Sequence, residues 1–310
     1  MPPTRPSGVI HVFPMNPAPR ARIPEKTLAL FALLAGGAAI AFAPIFVRIS
    51  DTGPVASAFW RVALAVAPLW LLTRWSERGR GAAASTGFAW PVVLAGLFFA
   101  GDLGVWHLSI LYTTIANSTL LANFAPIFVT LGGWLLFRQR VTRLFLIGMV
   151  TALAGATVLI GPSFGVSGRH LAGDALGVLT AVFYGAYFLA IKHLRASTIS
   201  TARIMAWSSA ITAIALLPVA LVSGEVMLPH GAHGWMVLFG LALLCQVAGQ
   251  GLIAWAMAHL PASFSAVSLL IQPVLATSYA WMILGERIGP VQFVGAAIVL
   301  VGIYFARRGS

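Results

Sequence analysis

A single acidic side chain interrupts one of the long apolar stretches of this sequence, and it is the first candidate for chemistry. Asp102 lies about twelve residues into the run that begins at Trp90. At a rise of about 1.5 Å per residue, this places its carboxyl group near the middle of a membrane-spanning helix. Ionisable groups at that depth are costly and are typical of functional sites. Asp102 could bind an ammonium group or relay a proton, and the alternative is a neutral side chain hydrogen-bonded to a neighbouring helix.

Hydroxyl and amide side chains precede two prolines that lie within apolar runs, Pro126 and Pro273. In each case two polar residues are four positions apart and therefore share a helix face. Each proline removes a backbone hydrogen bond, and backbone freed in this way at membrane depth must be buried in protein or line a cavity. We therefore expect a cavity lined by Thr119, Asn123, Ser268 and Gln272.

Two further amides, Gln246 and Gln250, are also four residues apart in an apolar run. Because an unpaired amide in hydrocarbon costs several kcal/mol, both must face a wet cavity or hydrogen-bond to neighbouring helices, and the sequence leaves the two alternatives open. Aromatic rings could stack on an apolar part of a substrate, although packing explains any one of them equally well. The aromatic candidates are Trp106, Tyr184 and Tyr187.

Metal, redox and nucleotide sites are not predicted. His230 and His233 lie in a loop without further ligands for zinc, and Cys245 is the only cysteine. The Gly249-Gln250-Gly251 segment has no preceding strand, as a phosphate-binding loop would require. We therefore expect no cofactor and no bound metal.

Composition identifies the elements that must position these side chains. The chain has 310 residues, of which 59% are apolar and 8% charged, whereas soluble domains carry about 25% charged residues. This favours one polytopic membrane domain, and a span needs about 20 apolar residues. The predicted spans are Thr27 to Val47, Val55 to Thr73, Trp90 to Tyr112, Ala116 to Phe137, Leu144 to Gly161, Ala175 to Ile191, Ile204 to Val222, Trp235 to Ala258, Ala262 to Leu284 and Val291 to Phe305.

The basic residues give an orientation to these spans. The net charge is +12, and most Lys and Arg residues fall on the cytoplasmic side when both termini are placed there, as the positive-inside rule requires. Basic cytoplasmic loops therefore explain the charge better than nucleic-acid binding does. The proline-rich residues 1–26 are expected to form a disordered cytoplasmic tail.

An internal repeat organises the spans. The offset from Pro126 to Pro273 is 147 residues, and the same offset pairs Gly148 with Gly295 and Gly155 with Gly302. Repeats of five spans begin on opposite sides of the membrane, and such inverted repeats are a recurrent transporter architecture with the site between them. The predicted fold is all-α, with ten transmembrane helices forming two inverted five-helix repeats, residues 27–161 and 174–308.

Several motifs resemble the drug/metabolite transporter superfamily, in particular its EamA-type ten-helix exporters. They are Ala58-Phe59-Trp60-Arg61, the two proline positions, Gly285-Glu286-Arg287 followed by Gln292 and Gly295, and Gly302. The first copy departs from the pattern, with Arg138-Gln139 where the family often has Gly-Glu. Within the superfamily the chain is similar to YddG-like amino-acid exporters. This resemblance implies export of amino acids, including aromatic ones, and related metabolites from the bacterial cytoplasm.

The resemblance also places an arginine at Arg61, near one end of its span, where the side chain could snorkel to the membrane surface. We expect an architectural ion pair or hydrogen-bond anchor there, with Asp51 as a candidate partner. Direct contact with a substrate carboxylate is the alternative. His107, on a different face from Asp102, could be functional or could simply pack against neighbouring helices.

The function expected from the sequence is export by alternating access, with the two repeats rocking about a central cavity. Spans one to four and six to nine would line the cavity, Pro126 and Pro273 would be flexible points, and spans five and ten would be peripheral braces. The expected partners are a small zwitterion and the lipid bilayer of the bacterial inner membrane, and a monomer is compatible with the sequence. The alternatives are other metabolites or drugs of the same superfamily and an intramembrane hydrolase; an enzyme is not expected.

Overall fold

The computed structural model describes residues 24–78, 90–113, 115–161 and 171–310. Within these ranges it contains helices and no strands, and ten of the helices are long and apolar enough to cross a membrane. They are α1 (Glu25–Ile49), α2 (Pro54–Ser76), α3 (Trp90–Tyr112), α4 (Asn117–Phe137), α5 (Arg143–Ile160), α6 (Leu171–Arg195), α7 (Thr201–Val222), α8 (Gly231–Ala256), α9 (Ala262–Leu284) and α10 (Pro290–Arg308).

The predicted all-α architecture of ten spans is confirmed, and the differences lie at helix ends. The predicted disordered tail spans residues 1–26. Residues 1–23 lie outside the described ranges, and α1 begins at Glu25. Helix α6 begins at Leu171 and continues to Arg195, beyond both predicted limits. Hydropathy finds the apolar part of a helix, whereas the backbone continues through flanking charged residues such as Asp174 and Lys192.

The two prolines coincide with interruptions of α4 and α9. Helix α4 is broken at Asn123–Phe124, directly before Ala125–Phe137, and α9 is broken at Leu269–Leu270. Both helices therefore consist of two segments, because Pro126 and Pro273 each lack the N–H that would continue the ladder.

The same turn follows α4 and α9. Arg138 and Gly285, which are equivalent under the 147-residue offset, both adopt the left-handed conformation, with φ of 52° and 69°. In each turn a backbone N–H donates to a carbonyl six residues back, Gln139 to Gly133 at 3.1 Å and Glu286 to Ala280 at 3.3 Å. A residue in the left-handed conformation is a common end of a helix. The glycine of the second copy, Gly285, is thus replaced by Arg138 in the first copy without a change in the turn.

Glycines allow α5 and α10 to cross at close backbone contact. A Cβ atom placed on Gly148 would lie 2.7 Å from the Gly302 carbonyl oxygen, and one on Gly155 would lie 2.9 Å from that of Gly295. The earlier glycine of each helix meets the later glycine of the other, so the two helices are antiparallel. Because α5 and α10 are equivalent positions of the repeat, this crossing agrees with inverted repeats.

The packing of the other helices has the same symmetry. Helix α3 packs on α6 and α7, and its counterpart α8 packs on α1 and α2. Helix α4 packs on α6, as α9 packs on α1, and α2 meets its own counterpart α7. If each helix is replaced by its counterpart in the other repeat, every one of these helix pairs becomes a pair that is also observed.

Contacts between loops separate into two faces of the bundle. One face, here called the terminal face, includes contacts of Glu25 with His259 and of Thr142 with Gly309. The opposite face, here called the far face, includes the Arg48–Glu286 ion pair. This segregation is what ten successive crossings require.

Candidate functional site

A pocket lies where α4, α6 and α9 meet, which is a junction between the two repeats. It encloses about 310 Å³ of unoccupied space, including space open to the exterior. The break in α4, the break in α9 and the middle of α6 all contribute to its wall. Its lining residues are Ala122, Asn123, Ala125, Pro126, Val129, Tyr184, Phe188, Ala266, Leu269, Leu270 and Gln272.

Three polar side chains of this lining define its chemistry. The Asn123 side-chain amide donates to the Thr119 carbonyl oxygen at 2.8 Å, which leaves the Asn123 oxygen as an acceptor. The Gln272 Nε2 atom is buried and has no hydrogen-bond partner among the described residues. The Tyr184 hydroxyl lies close to the Gln272 side chain. The remaining wall is apolar, so the pocket suits a molecule with a polar head and a hydrophobic body.

The accessibility of the pocket changes along α9. Every residue of Ala262–Ser268 is buried, whereas Ile271–Leu284 contains no buried residue. The segment Ala262–Ser268 packs against Ala125–Phe137 of α4, while no comparable packing joins Ile115–Ala122 to Ile271–Leu284, both within the described residues. The structure is therefore closed between α4 and α9 toward the terminal face and more open toward the far face.

Asp102 lies near this pocket without being part of its wall. It is partly exposed in the middle of α3, and within the described part of the chain no hydrogen bond or ion pair involves its carboxylate. It is within electrostatic range of Arg61 and Tyr184. Trp106, one turn further along α3, is also partly exposed, and its ring meets the His107 ring edge to face at 4.9 Å.

Arg61 is held between helices and does not extend to the membrane surface. Only 9% of the residue is exposed. Its Nε donates to the Gln246 side-chain oxygen at 3.1 Å, and its guanidinium lies over the Phe99 ring at 5.9 Å. Gln246 in turn donates to the Ser209 hydroxyl at 3.1 Å. These contacts join α2, α3, α7 and α8, so Arg61 holds the four helices together as a structural anchor.

The prediction that Asp51 is the partner of Arg61 is wrong. Asp51 lies in the far-face loop between α1 and α2, where its carboxylate accepts from the His230 backbone N–H at 2.6 Å. A neutral amide, Gln246, takes its place beside Arg61. The positive charge is therefore not neutralised by direct pairing, and it acts through space on the Asp102 carboxylate.

Gln246 and Gln250 lie in a feature that the sequence did not reveal, a π-helical segment Leu241–Gln250 of ten residues. Such segments are rare and are frequently found at functional sites. The equivalent part of α3 is regular α-helix. Gln246 is fully buried and hydrogen-bonded between helices, and Gln250 is 3% exposed. Neither glutamine contributes to the pocket wall.

Three of the other sequence candidates also lie outside the wall of the pocket. Tyr187 is buried in the core, where its ring stacks on Phe99 at 4.7 Å and its hydroxyl meets the sulfur of Met205 at 3.9 Å. The Tyr184 and Tyr187 rings stack on each other, with centroids 6.3 Å apart, and only Tyr184 contributes to the pocket wall. Ser268 is fully buried, and its hydroxyl has no partner among the described residues. Thr119 contributes its carbonyl oxygen to Asn123.

The sequence did not indicate which apolar residues line the pocket. Phe188, Val129 and Leu270 face the pocket, but in sequence they look like any residue that faces lipid. Their only signal is position, since each lies within one or two turns of a proline break or of Tyr184.

Comparison with known proteins agrees with this architecture. Residues 171–308 match the model of the EamA-like transporter family. A transporter of uncharacterised function from Archaeoglobus fulgidus is 27% identical over 84% of this chain and 90% of its own length. The second repeat therefore matches the EamA-like transporters, and this relative of the chain is also named as a transporter. This agrees with the expectation that it is not an enzyme.

Two relatives of this chain carry more specific names. A probable terminal-alkyne amino-acid exporter of Streptantibioticus cattleyicolor is 29% identical, over 62% of this chain and 64% of the relative. The pseudopaline exporter CntI of Pseudomonas aeruginosa is 24% identical, over 81% and 86%. A solved crystal structure has the same fold, with a TM-score of 0.76 at 16% identity, covering 91% of this chain and 97% of that one.

The polar groups of this protein do not follow the symmetry of its backbone. Under the 147-residue offset, Asp102 corresponds to Gly249, Asn123 to Leu270 and Gln272 to Ala125. Each polar group therefore occurs once. A symmetric scaffold thus presents an asymmetric site, which suits a substrate whose two ends differ.

Proposed function

We propose that this protein exports amino acids, including aromatic or hydrophobic ones, and related small metabolites across the bacterial inner membrane. The observation that carries the proposal is the pocket at the junction of α4, α6 and α9. It combines two amides and a phenol with an apolar wall, and no Lys or Arg is among its lining residues. A sugar phosphate would call for cationic side chains, which favour phosphate.

Different residues of the site bind different parts of the substrate. The apolar wall around Phe188 and Val129 receives the substrate side chain, since burial of apolar surface drives such binding. Tyr184 offers a ring face for an aromatic side chain. Asp102, which lacks a partner among the described residues, binds the ammonium group by charge-assisted hydrogen bonding. Trp106 extends the aromatic surface beside Asp102.

Alternating access supplies the transport step. The terminal face, which carries both ends of the described chain, is the cytoplasmic one, as the distribution of basic residues favours. The structure then has the α4–α9 contact closed toward the cytoplasm. The breaks before Pro126 and Pro273 let the two segments of each helix move separately, so that the α4–α9 contact is exchanged for its counterpart at the far face.

The names of two relatives support this substrate class. One is described as an exporter of a terminal-alkyne amino acid and the other as an exporter of pseudopaline. Both names denote export of a small metabolite.

The test is counterflow in proteoliposomes. Vesicles containing the purified protein are loaded with one unlabelled amino acid, and uptake of a trace of the labelled compound is followed. We expect transient accumulation with aromatic and large aliphatic amino acids and none in protein-free vesicles. The control variant is Phe293→Ala, an exposed position of α10. Failure of every amino acid to give counterflow would contradict the proposal.

A further inference from the structure

A pocket-lining residue of α9 carries a buried hydrogen-bond donor without a partner among the described residues. The Gln272 Nε2 atom is buried and lacks a partner among the described residues, although the residue lines the pocket. Buried polar groups in folded proteins are almost always hydrogen-bonded, and an exception calls for an explanation. The simplest one is that a substrate atom completes the bond.

The neighbours of Gln272 determine what that atom must be. An amide Nε2 is a donor only, so it requires an acceptor from the substrate. One of the two Asn123 amide hydrogens is donated to the Thr119 carbonyl, and no cationic side chain is among the pocket-lining residues. Gln272 is therefore the amide of this wall whose nitrogen makes no hydrogen bond of normal geometry within the described residues, and its side chain interacts with the neighbouring Tyr184 hydroxyl.

We propose that Gln272 binds the carboxylate of the substrate and so determines specificity for carboxylated substrates. This inference rests on the proposed function and adds the direction in which the substrate lies. The carboxylate faces α9 of the second repeat, and the ammonium group faces Asp102 of the first. Because the counterpart of Gln272 is Ala125, the first repeat has no equivalent subsite and the substrate binds in one orientation.

The consequence is selectivity against molecules that lack the acceptor. A site built to hydrogen-bond a substrate group rejects analogues without it, because its own polar group is then left unpaired. Phenylalanine should therefore be transported in preference to phenethylamine, which has the same ring and ammonium group but no carboxylate.

The experiment compares efflux of these two compounds, and of 3-phenylpropanoate, from proteoliposomes. Gln272→Glu has nearly the same shape but presents oxygens and negative charge to the carboxylate. We expect it to lower kcat/KM for phenylalanine by roughly tenfold or more and to leave phenethylamine unchanged or improved. Gln272→Leu removes the donor without adding charge, and it should narrow the preference for phenylalanine over phenethylamine.

Thr277→Val is the matched control, because the Thr277 hydroxyl is satisfied within its own helix, donating to the Pro273 carbonyl at 2.9 Å. This variant should keep the wild-type preference. Elution of all variants as a single species in gel filtration verifies folding. Equal losses for all three compounds in Gln272→Glu, or no loss, would overturn the assignment of Gln272 alone. A wild-type protein that moves none of the three would overturn the proposed function, and the assignment with it.

Discussion

The Phe42 ring stacks on the Tyr279 ring, with centroids 4.1 Å apart and planes inclined by 21°. Helix α1 is interrupted at Ala41–Phe42, so this contact joins the interruption to the exposed half of α9 and links the two repeats. The 147-residue offset converts the pair into Leu189 and Gly132, and these residues also touch, where α6 meets α4. Equivalent contacts thus join the two repeats near both faces, an aromatic stack on one side and an aliphatic contact on the other.

The aromatic stack should restrict access to the pocket from the far face. A reporter is Ala122→Cys in the pocket wall, introduced together with Cys245→Ala. We expect Phe42→Ala to raise the rate of its modification by an impermeant thiol reagent applied to the far face, by roughly two- to tenfold, because an aromatic pair contributes about 0.5–1.5 kcal/mol. Phe293→Ala should leave the rate unchanged. An unchanged rate in Phe42→Ala would show that the stack does not restrict entry.

The ion pair between Arg48 and Glu286 also has a counterpart, but one that lacks the acid. The equivalent residues are Arg195 and Gln139, and the buried Arg195 Nε has no partner among the described residues. We expect Gln139→Glu to supply the missing ion pair and to stabilise the state that is closed toward the terminal face. An exposed pair contributes up to about 1 kcal/mol, so turnover should fall roughly two- to fivefold.

A double variant controls for other effects of the added charge. Gln139→Glu combined with Arg195→Gln should turn over at the rate of Arg195→Gln alone, because the pair can no longer form. If the double variant were as slow as Gln139→Glu, pairing with Arg195 would not be the cause.

The glycines at the crossing of α5 and α10 should not tolerate replacement by residues with larger side chains. We expect Gly148→Leu to lower the thermal unfolding midpoint, since the new side chain would meet the backbone of Gly302 and Ala306 and overpacking costs about 1–3 kcal/mol. Gly251→Ala is the control, because a Cβ atom there meets nothing within 4 Å. Equal midpoints for Gly148→Leu and the wild type would contradict the close crossing.

Asp102 should act on the ammonium group of the substrate. Asp102→Asn keeps the shape but removes the charge, and a hydrogen bond to a charged group contributes about 1.5–3 kcal/mol. We expect KM for phenylalanine to rise roughly ten- to hundredfold, with little change for the N-acetylated amino acid. Unaltered KM together with a loss of pH dependence would indicate proton transfer instead.

The architecture could be predicted from the sequence because it depends on the length of the apolar runs and on an internal repeat with a constant offset. The ten spans, the two proline breaks and the smooth glycine faces of α5 and α10 are all local patterns. The partners of side chains were harder to predict. Arg61 hydrogen-bonds to Gln246 instead of pairing with Asp51. The π-helical segment Leu241–Gln250 contains no proline that would indicate an irregular helix.

The candidate site was predicted in part. Asn123, Tyr184 and Gln272 line the pocket, whereas Tyr187 packs in the core. Lipid and protein interior are both apolar, so hydropathy cannot separate the buried Tyr187 from a side chain that faces the bilayer. Only the three-dimensional packing distinguishes them.

Access to the pocket from both faces tests the central claim most directly. The Ala122→Cys reporter, in the Cys245→Ala background, is modified in vesicles by an impermeant thiol reagent applied to one face and then to the other. We predict modification from each face and slower modification from both when an aromatic amino acid is present at saturation. Modification from one face only, or rates that the amino acid does not change, would contradict a substrate pocket between two inverted repeats.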